Sequence, residues 1–313
     1  MSIAITLATY RRPELLASLL PVLCRQADAL PEPCRIVVVD NDPATSAQAV
    51  VEGVARGSVE VVYVAEPRPG IAAARNAALD QTTQDDAVVF IDDDERPADD
   101  WLHQLVSHWR AWGCAGVVGP VVSELPDETS EWVRASGMFA REQHPQGANV
   151  RVAATNNLIL DRRKLRALGL RFDERFGLTG GSDTMLTRAL TSHGEQIRFC
   201  REAVMTEQVP AERATRDWVL RRAYRVGTVH SRVNLAVNPA GMPRLRVRCR
   251  LFVRGARRII TGQVSAIVGR FRHGPAASAA GEAWVARGRG VIAGALGRQY
   301  VEYARPTMDA EQQ

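Results

Sequence analysis

The chain has 313 residues, 46% of them hydrophobic and 24% charged, which is typical of a globular protein rather than a disordered or fibrous one. No stretch reaches the ~18 consecutive apolar residues that a membrane-spanning helix needs. The N-terminus lacks the basic and apolar segments of a signal peptide, and the five cysteines are widely spaced without a CxxC pair. These features predict a soluble cytoplasmic protein with buried free thiols and no zinc site.

The net charge of +5 conceals two oppositely charged parts of the chain. Residues 1–212 carry 21 Lys or Arg and 30 Asp or Glu, a net charge of −9. Residues 213–305 carry 19 Arg and three acidic residues, a net charge of +16, and the last eight residues add −2. The split predicts an acidic body and a basic tail that contacts an anionic partner.

Short apolar runs alternate with amphipathic stretches over residues 1–122. They predict strands at 3–7, 36–39, 59–64, 87–91 and 116–122, and helices at 13–26, 44–55, 70–79 and 98–112. This order predicts a mostly parallel α/β sheet between two layers of helices, with right-handed crossovers. Residues 123–212 are interrupted by Pro and Gly, and we interpret them as the second half of the same domain.

Residues 213–313 form a predicted basic helical extension. Between residues 245 and 271, apolar residues recur every three or four positions, with arginines between them. This spacing predicts an amphipathic basic helix. Gly255, Gly262 and Gly269 recur every seven residues and count against one unbroken helix, because glycine disfavours helix interiors.

Polar residues follow three of the predicted strands, at 9–13, 40–43 and 92–95. In an open parallel sheet, ligands bind at the carboxyl ends of the strands, so we expect these segments to meet. The four consecutive acidic residues of the third segment repel one another unless a cation neutralises them. Carboxylates suit Mg²⁺ or Mn²⁺, which in turn hold diphosphate oxygens. The alternative is a solvated first turn of the following helix.

Five motifs occur in a fixed order along the chain. They are the loop Thr9-Tyr10-Arg11-Arg12-Pro13, the turn Asp40-Asn41-Asp42, the helix Gly70-Ile71-Ala72-Ala73-Ala74-Arg75-Asn76-Ala77-Ala78-Leu79, the DxD motif Asp92-Asp93-Asp94, and Gly180-Gly181-Ser182-Asp183. Together they resemble the motifs of family 2 glycosyltransferases of the GT-A fold, over about residues 3–225. The resemblance implies that the enzyme transfers a sugar with inversion, from a UDP-sugar or another nucleotide-sugar to an acceptor hydroxyl, with Mn²⁺ or Mg²⁺ as cofactor.

The same resemblance implies a role for each matching residue. Asp183 is the implied general base and Asp94 the implied metal ligand. The implied nucleotide-sugar contacts include Asp40 on the nucleobase and Arg75 on the diphosphate or ribose, and the full set is Thr9, Arg11, Asp40, Asp42, Arg75, Asp92 and Asp93. Asp93 and Glu95 are expected not to be direct metal ligands.

Three features depart from the family pattern. Ser182 stands where the family often has Glu, and Asp42 stands where it usually has Gly, which makes the shape of that turn an open question. The QxxRW signature of processive members is absent, which favours a single-addition enzyme over a polymer synthase.

Four further residues are candidate contacts of the acceptor or diphosphate: Asn156, Asn157, Arg222 and Arg225. The first two precede an apolar run, and a capped turn before a strand is the alternative interpretation. The two arginines belong to an Arg-rich segment that resembles a late helix closing over the diphosphate in relatives.

Two other functions compete with a hexosyltransferase that makes a polysaccharide, glycolipid or other glycoconjugate. A sugar-phosphate nucleotidyltransferase typically has a GxGTRxxP loop near residue 10, which this sequence lacks. A non-catalytic nucleotide-sugar-binding module is disfavoured because Asp92, Asp94 and Asp183 are intact.

The basic tail, taken as residues 244–305, has two interpretations. Arginines that alternate with apolar residues at helical spacing favour an anionic membrane surface over nucleic acid. Packing of the apolar stripe on the catalytic body is the alternative. A membrane contact would place the enzyme peripherally on the cytoplasmic face, where the acceptor would be a lipid-linked saccharide.

Overall fold

The computed structural model describes residues 1–300. Residues 301–313, which end the predicted extension and include the last part of the predicted membrane segment, lie outside the described residues, as does the side chain of His273. The described chain forms two compact units. The first comprises residues 1–122 and 142–207, and the second comprises residues 123–141 and 208–300.

The strands form two sheets. In chain order they are β1 (Ile3–Thr9), β2 (Cys34–Asp40), β3 (Glu60–Ala65), β4 (Ala87–Asp92), β5 (Glu95–Pro97), β6 (Gly116–Val118), β7 (Val121–Glu124), β8 (Asn149–Val150), β9 (Asn157–Asp161), β10 (Ile197–Phe199) and β11 (Met205–Gln208). Eight strands form the main sheet in the order β3-β2-β1-β4-β9-β6-β10-β8, and β5, β11 and β7 form a three-stranded sheet.

Helices account for most of the remaining chain. They are α1 (Pro13–Asp28), α2 (Gln48–Gly53), α3 (Ile71–Gln81), α4 (Trp101–Trp112), α5 (Glu131–Ala135), α6 (Arg162–Ala167), α7 (Ser182–Ser192), α8 (Arg216–Ala236), α9 (Met242–His273) and α10 (Ala279–Ala295). Two 3₁₀ turns, Glu174–Phe176 and Pro275–Ser278, precede α7 and α10.

Strand β2 shows why the sequence folds into three layers. Ile36 and Val38 join the core formed with α1 and α4, whereas the alternate residues Val37 and Val39 pack against the alanines of α3. Successive side chains of a strand point to opposite faces, so an apolar, β-branched run is stable only with helices on both sides. The predicted three-layer α/β sandwich is confirmed, and the long helices α8, α9 and α10 follow it in the chain.

Two details of the main sheet differ from the prediction. Strand β9 runs antiparallel between β4 and β6, and the single strand predicted at 116–122 is divided into β6 and β7 around Gly119 and Pro120. A Cβ atom on Gly119 would lie 2.1 Å from the carbonyl oxygen of Ala203, so this crossing requires glycine. The helix predicted at 44–55 is shortened to α2.

The second unit is built on three long helices. α10 lies between α8 and α9 and packs on both. The expectation that glycines would interrupt the helix at 245–271 is wrong, because α9 is one helix of 32 residues. Gly255, Gly262 and Gly269 face Gly288, Gly281 and Ala277 at distances that leave no room for a Cβ atom, so they let two helix backbones approach closely.

Two further predictions concern membrane-spanning helices and the burial of the cysteines. None of the helices in residues 1–300 is long and apolar enough to cross a bilayer. Cys24, Cys114 and Cys200 are buried and Cys34 is half-buried, as expected, but Cys249 on α9 is exposed.

Candidate active site

The register of the main sheet brings the ends of β1, β2 and β4 to one edge. Thr9 is paired with Asp40 across β1 and β2, and Ala8 is paired with Asp92 across β1 and β4. All three strands are parallel, so the segments that follow them leave the sheet on the same side. The predicted meeting of the polar segments at this edge is present in the structure.

Asp93 is the anchor of the acidic turn between β4 and β5. It is 6% exposed, and its carboxylate accepts hydrogen bonds from Thr9 Oγ1 at 2.8 Å and from Arg12 Nη1 at 2.9 Å. Burial raises the pKa of Asp93 to about 6, although the positive charge of Arg12 acts in the opposite direction. The structure therefore uses Thr9 and Asp93, two predicted nucleotide-sugar contacts, to hold the turn in place.

The other three acidic residues of the turn converge on a possible cation site. Asp92, Asp94 and Glu95 each offer one carboxylate oxygen, and these oxygens lie within 4.8 Å of one another. Asp94 was the predicted ligand, whereas Glu95 was expected not to ligate directly. The buried carboxylate of Glu95, at the start of β5, nevertheless lies beside the other two, so whether Glu95 ligates a cation stays a prediction.

The charge of the turn fits a divalent cation. Its four carboxylates attract positive charge: Arg12 contacts Asp94 at 3.2 Å in addition to Asp93, and Arg75 contacts Asp92 at 3.2 Å. Oxygen ligands at this spacing suit Mg²⁺ or Mn²⁺. Residue Arg75, with 12% of its side chain exposed, belongs to the site and is not an ordinary surface arginine.

Strand pairing in the three-stranded sheet places a glutamate from outside the five motifs next to the acidic turn. Glu207 on β11 is paired with Glu95 on the antiparallel strand β5. Residues directly opposite one another in such a pair have neighbouring side chains, and like charges there are destabilising unless compensated. The pairing thus increases the negative charge beside the acidic turn.

The turn after β2 is held by its own side chains. Asp40 is fully buried and accepts hydrogen bonds from the backbone of Asp42 and Ala47 and from Tyr63 Oη. Asp42 is also buried and contacts Arg11 at 3.4 Å. Residue 42 does not have a positive φ, which explains why the turn accepts Asp in place of Gly. The contact of Asp40 with a nucleobase stays a prediction.

Two asparagines inside the motifs have structural roles that the motif pattern does not reveal. Asn41 donates to the carbonyl oxygens of Glu66 and Arg68 at 2.7 Å each and accepts from the backbone N–H of Gly70. Asn76 binds the backbone of Phe172 through both its donor and its acceptor, at 3.0 Å each. These clamps fix the start and the register of α3, and with it Arg75.

The predicted base Asp183 lies in the first turn of α7. Its carboxylate accepts a hydrogen bond of 2.6 Å from the backbone N–H of Thr184. The segment before α7 is tied to α3, since Ile71 donates to the carbonyl oxygen of Gly177. A Cβ atom on Gly70 would lie 3.1 Å from Gly177, so glycine permits this approach.

The four candidate acceptor or diphosphate contacts have different surroundings. Asn156 donates to Glu95 at 2.6 Å and so touches the acidic turn. Asn157 opens β9 and is fully buried, with bonds to Trp101, Pro120 and Ala203. For Asn157 the structure supports the alternative of a turn before a strand. Arg222 and Arg225 lie on α8 in the second unit, where Arg222 stacks over Trp218.

Comparisons with known proteins agree on one family. The model of glycosyl transferase family 2 matches residues 4–169. The succinoglycan biosynthesis protein ExoM of Rhizobium meliloti is 35% identical over 236 residues, which cover 74% of this chain and 75% of that protein. A pre-mycofactocin glycosyltransferase of Mycobacterium tuberculosis is 27% identical over 200 residues, covering 62% of this chain and 41% of that protein.

Solved structures share the fold at low sequence identity. The mannosyltransferase PcManGT of Pyrobaculum calidifontis, solved with GDP-Man and Mn²⁺, has a TM-score of 0.58 at 20% identity and covers 90% of this chain and 85% of its own. Residues 1–349 of TarS of S. aureus, solved with UDP, have a TM-score of 0.53 at 14% identity, covering 97% of both chains.

The sheet order, the acidic turn and these likenesses define a glycosyltransferase of the GT-A fold. The chain belongs to glycosyl transferase family 2. This assignment removes the alternatives of a nucleotidyltransferase and of a module without enzymatic activity.

Proposed function

We propose that this enzyme is a metal-dependent, inverting glycosyltransferase that moves a sugar from a nucleotide-sugar, a UDP-sugar in the first instance, to an acceptor hydroxyl. The observation that carries the proposal is the group of carboxylate oxygens from Asp92, Asp94 and Glu95 at the carboxyl edge of the sheet. Solved structures of similar fold contain GDP-Man with Mn²⁺, or UDP-GlcNAc, which supports a nucleotide-sugar donor and Mn²⁺ or Mg²⁺.

The residues of the site divide the chemical work. A cation bound there would neutralise negative charge that develops on the leaving diphosphate. Arg75 and Arg12 hold the carboxylates at the spacing that the cation needs, and Arg75 also supplies positive charge next to the diphosphate. Asp183 accepts the proton of the acceptor hydroxyl as the hydroxyl attacks the anomeric carbon, because a neutral hydroxyl is a poor nucleophile.

The acceptor belongs to polysaccharide or other glycoconjugate synthesis in this proposal. The likeness to a succinoglycan biosynthesis protein at 35% identity supports it. We also propose that the enzyme acts in the cytoplasm. Residues 1–122 would then bind the donor and 123–212 the acceptor, with residues 123–141 folded in the same unit as the long helices. The basic extension after residue 212 would meet a membrane surface and its lipid-linked acceptor.

The decisive experiment tests donor cleavage. Purified protein is incubated with a panel of nucleotide-sugars and Mn²⁺, and release of nucleoside diphosphate is measured. We expect release from one donor, its loss with EDTA, and its loss in Asp94→Ala. Asp99→Ala is the matched control, since Asp99 is an exposed aspartate in the same segment. Cleavage that persists with EDTA or in Asp94→Ala would contradict the metal site.

A further inference from the structure

Helix α9 is packed on one side. α10 lies between α8 and α9, and α8 and α9 share few contacts. The side of α9 that faces α10 carries Gly255, Gly262 and Gly269, against which the backbone of residues 277–288 is placed. The glycine spacing of seven residues defines this inner face along the length of the helix.

The opposite side of α9 is apolar and exposed. Val253 is 70% exposed and Phe271 is 84% exposed, and three further apolar residues between them, Ile260, Val264 and Ile267, are each more than half exposed. Their spacing of seven, four, three and four residues keeps them on one stripe of a helix. The exposed Arg257 lies on the same stripe between Val253 and Ile260, so the unbroken apolar part is Ile260–Phe271. On this outer face, Ile260, Val264, Ile267 and Phe271 belong to the stripe that the sequence predicts and are exposed, whereas Phe252, also of that stripe, packs against the cluster around Leu251.

The same helix is strongly cationic. It contains nine arginines and neither lysine nor acidic residues, and the arginines are Arg244, Arg246, Arg248, Arg250, Arg254, Arg257, Arg258, Arg270 and Arg272. Seven of the nine are exposed; Arg244 and Arg258 are half-buried. Apart from Arg257 on the stripe itself, the exposed arginines lie beside the stripe or towards its ends, where their guanidinium groups can reach anions around an inserted helix face.

We propose that the outer face of α9 binds an anionic membrane surface, with the helix lying in the headgroup region and Ile260–Phe271 inserted. An amphipathic helix with apolar residues on one stripe and arginines around it binds acidic lipid by burying the stripe and pairing the arginines with phosphate. Nucleic acid would pair with the arginines and leave the stripe in water. A second copy would cover the stripe and bring two faces of like charge together.

Vesicle flotation tests this surface on the full chain. Wild-type protein is mixed at low salt with vesicles of phosphatidylcholine, with or without phosphatidylglycerol. The variant Ile267→Gln/Phe271→Gln removes two exposed apolar side chains of the stripe, and Val237→Gln/Leu296→Gln removes two exposed ones elsewhere in the second unit. We expect flotation of the wild type with the acidic vesicles alone, little change in the control, and at least about a tenfold lower partition coefficient for the stripe variant.

Three results would overturn the proposal. They are absence of flotation with acidic vesicles, equal flotation of the stripe variant and the wild type, and equal flotation with neutral and acidic vesicles. Sedimentation without vesicles tests whether a second copy covers the face instead. If the protein does not float but forms a dimer, and the stripe variant is monomeric, the face is a dimer interface. The inference does not rest on the proposed reaction, since the stripe variant is expected to keep donor cleavage in solution.

Discussion

Neighbouring acidic residues in the turn after β4 have opposite tasks. Asp93 is buried and hydrogen-bonded to Thr9 and Arg12, whereas Asp92, Asp94 and Glu95 form the candidate cation site. Four consecutive carboxylates are compatible with a stable turn if one is buried in hydrogen bonds with neighbouring side chains and the other three share the charge of a bound cation. Glu95 therefore joins the two aspartates of the DxD motif as a candidate ligand.

Glu95 provides the first prediction. In Glu95→Gln the side-chain oxygen that accepts from Asn156 is kept, and one ligand charge is lost. We expect the Mn²⁺ concentration for half-maximal donor cleavage to rise by at least about tenfold, the lower end of what loss of a supporting group costs a metal site. The control is the exposed Glu128→Gln. An unchanged Mn²⁺ requirement would remove Glu95 from the ligand set.

Asp183 provides the second prediction. Asp183→Asn keeps the size of the side chain and an oxygen that can accept from the backbone of Thr184, but it cannot take a proton. We expect donor binding within about twofold of wild type by calorimetry, and sugar transfer reduced by roughly 10²- to 10⁴-fold, the usual contribution of a general base. Loss of donor binding would instead make Asp183 a structural residue.

At the scale of whole elements, the glycines of the second unit set the distance between helices. A Cβ atom on Gly290 of α10 would lie 1.9 Å from the carbonyl oxygen of Tyr224 on α8, and one on Gly227 would lie 2.2 Å from the carbonyl oxygen of Arg287. Glycine costs helix propensity, about 1 kcal/mol relative to alanine. Here the cost in helix propensity is offset because the backbones of α8 and α10 come into direct contact, which adds van der Waals contacts along both helices.

Gly290→Ala is the third prediction. The added methyl group gains helix propensity but must displace backbone, and overpacking of this kind typically costs about 1–3 kcal/mol. We expect a lower melting temperature and earlier loss of helical circular dichroism in urea. Gly53→Ala is the control, because a Cβ atom there meets no other atom within 4 Å. A melting temperature at or above that of the control would show that the helices can separate at little cost.

The positions of the strands and helices were largely predictable from the sequence, whereas the contacts between them were not. Periodicity of 2 and of 3.6 is visible in one sequence, so β1 to β4 and the main helices were found close to their observed bounds. The direction of β9 depends on partners far away in the chain, and the glycines of α9 have meaning only opposite α10. The candidate cation site was predictable from the DxD motif. The contacts of Arg12 and the positions of Glu95 and Glu207 beside the turn depend on strand pairing, which one sequence does not reveal.

At the scale of the whole molecule, the division of charge along the sequence matches the division into units. The acidic turn belongs to the first unit, and the nine arginines of α9 belong to the second. Opposite charge on different parts of one enzyme allows a cation-dependent site and an anion-binding surface to coexist. We expect that high salt weakens flotation with acidic vesicles, because screening shortens the reach of exposed charges, and leaves the apolar contribution.

Removal of α10 gives the fourth prediction. A chain truncated after residue 278 keeps α8 and α9 but loses the helix on which both pack. We expect the segment from 208 to 278 to become sensitive to protease while the first unit stays resistant. A chain truncated after residue 300 retains α10 and is the control. Protease resistance of the second unit without α10 would show that α8 and α9 are stable by themselves.

The central position of α10 also affects how the protein is made. Ribosomes release the chain from the N-terminus onward, so α8 and α9 leave the exit tunnel before their shared partner does. Until residues 279–295 have emerged, α9 has neither its inner nor its outer face covered, and its glycines reduce its tendency to remain helical alone. The second unit is thus completed late in synthesis, when α10 becomes available to pack on α8 and α9.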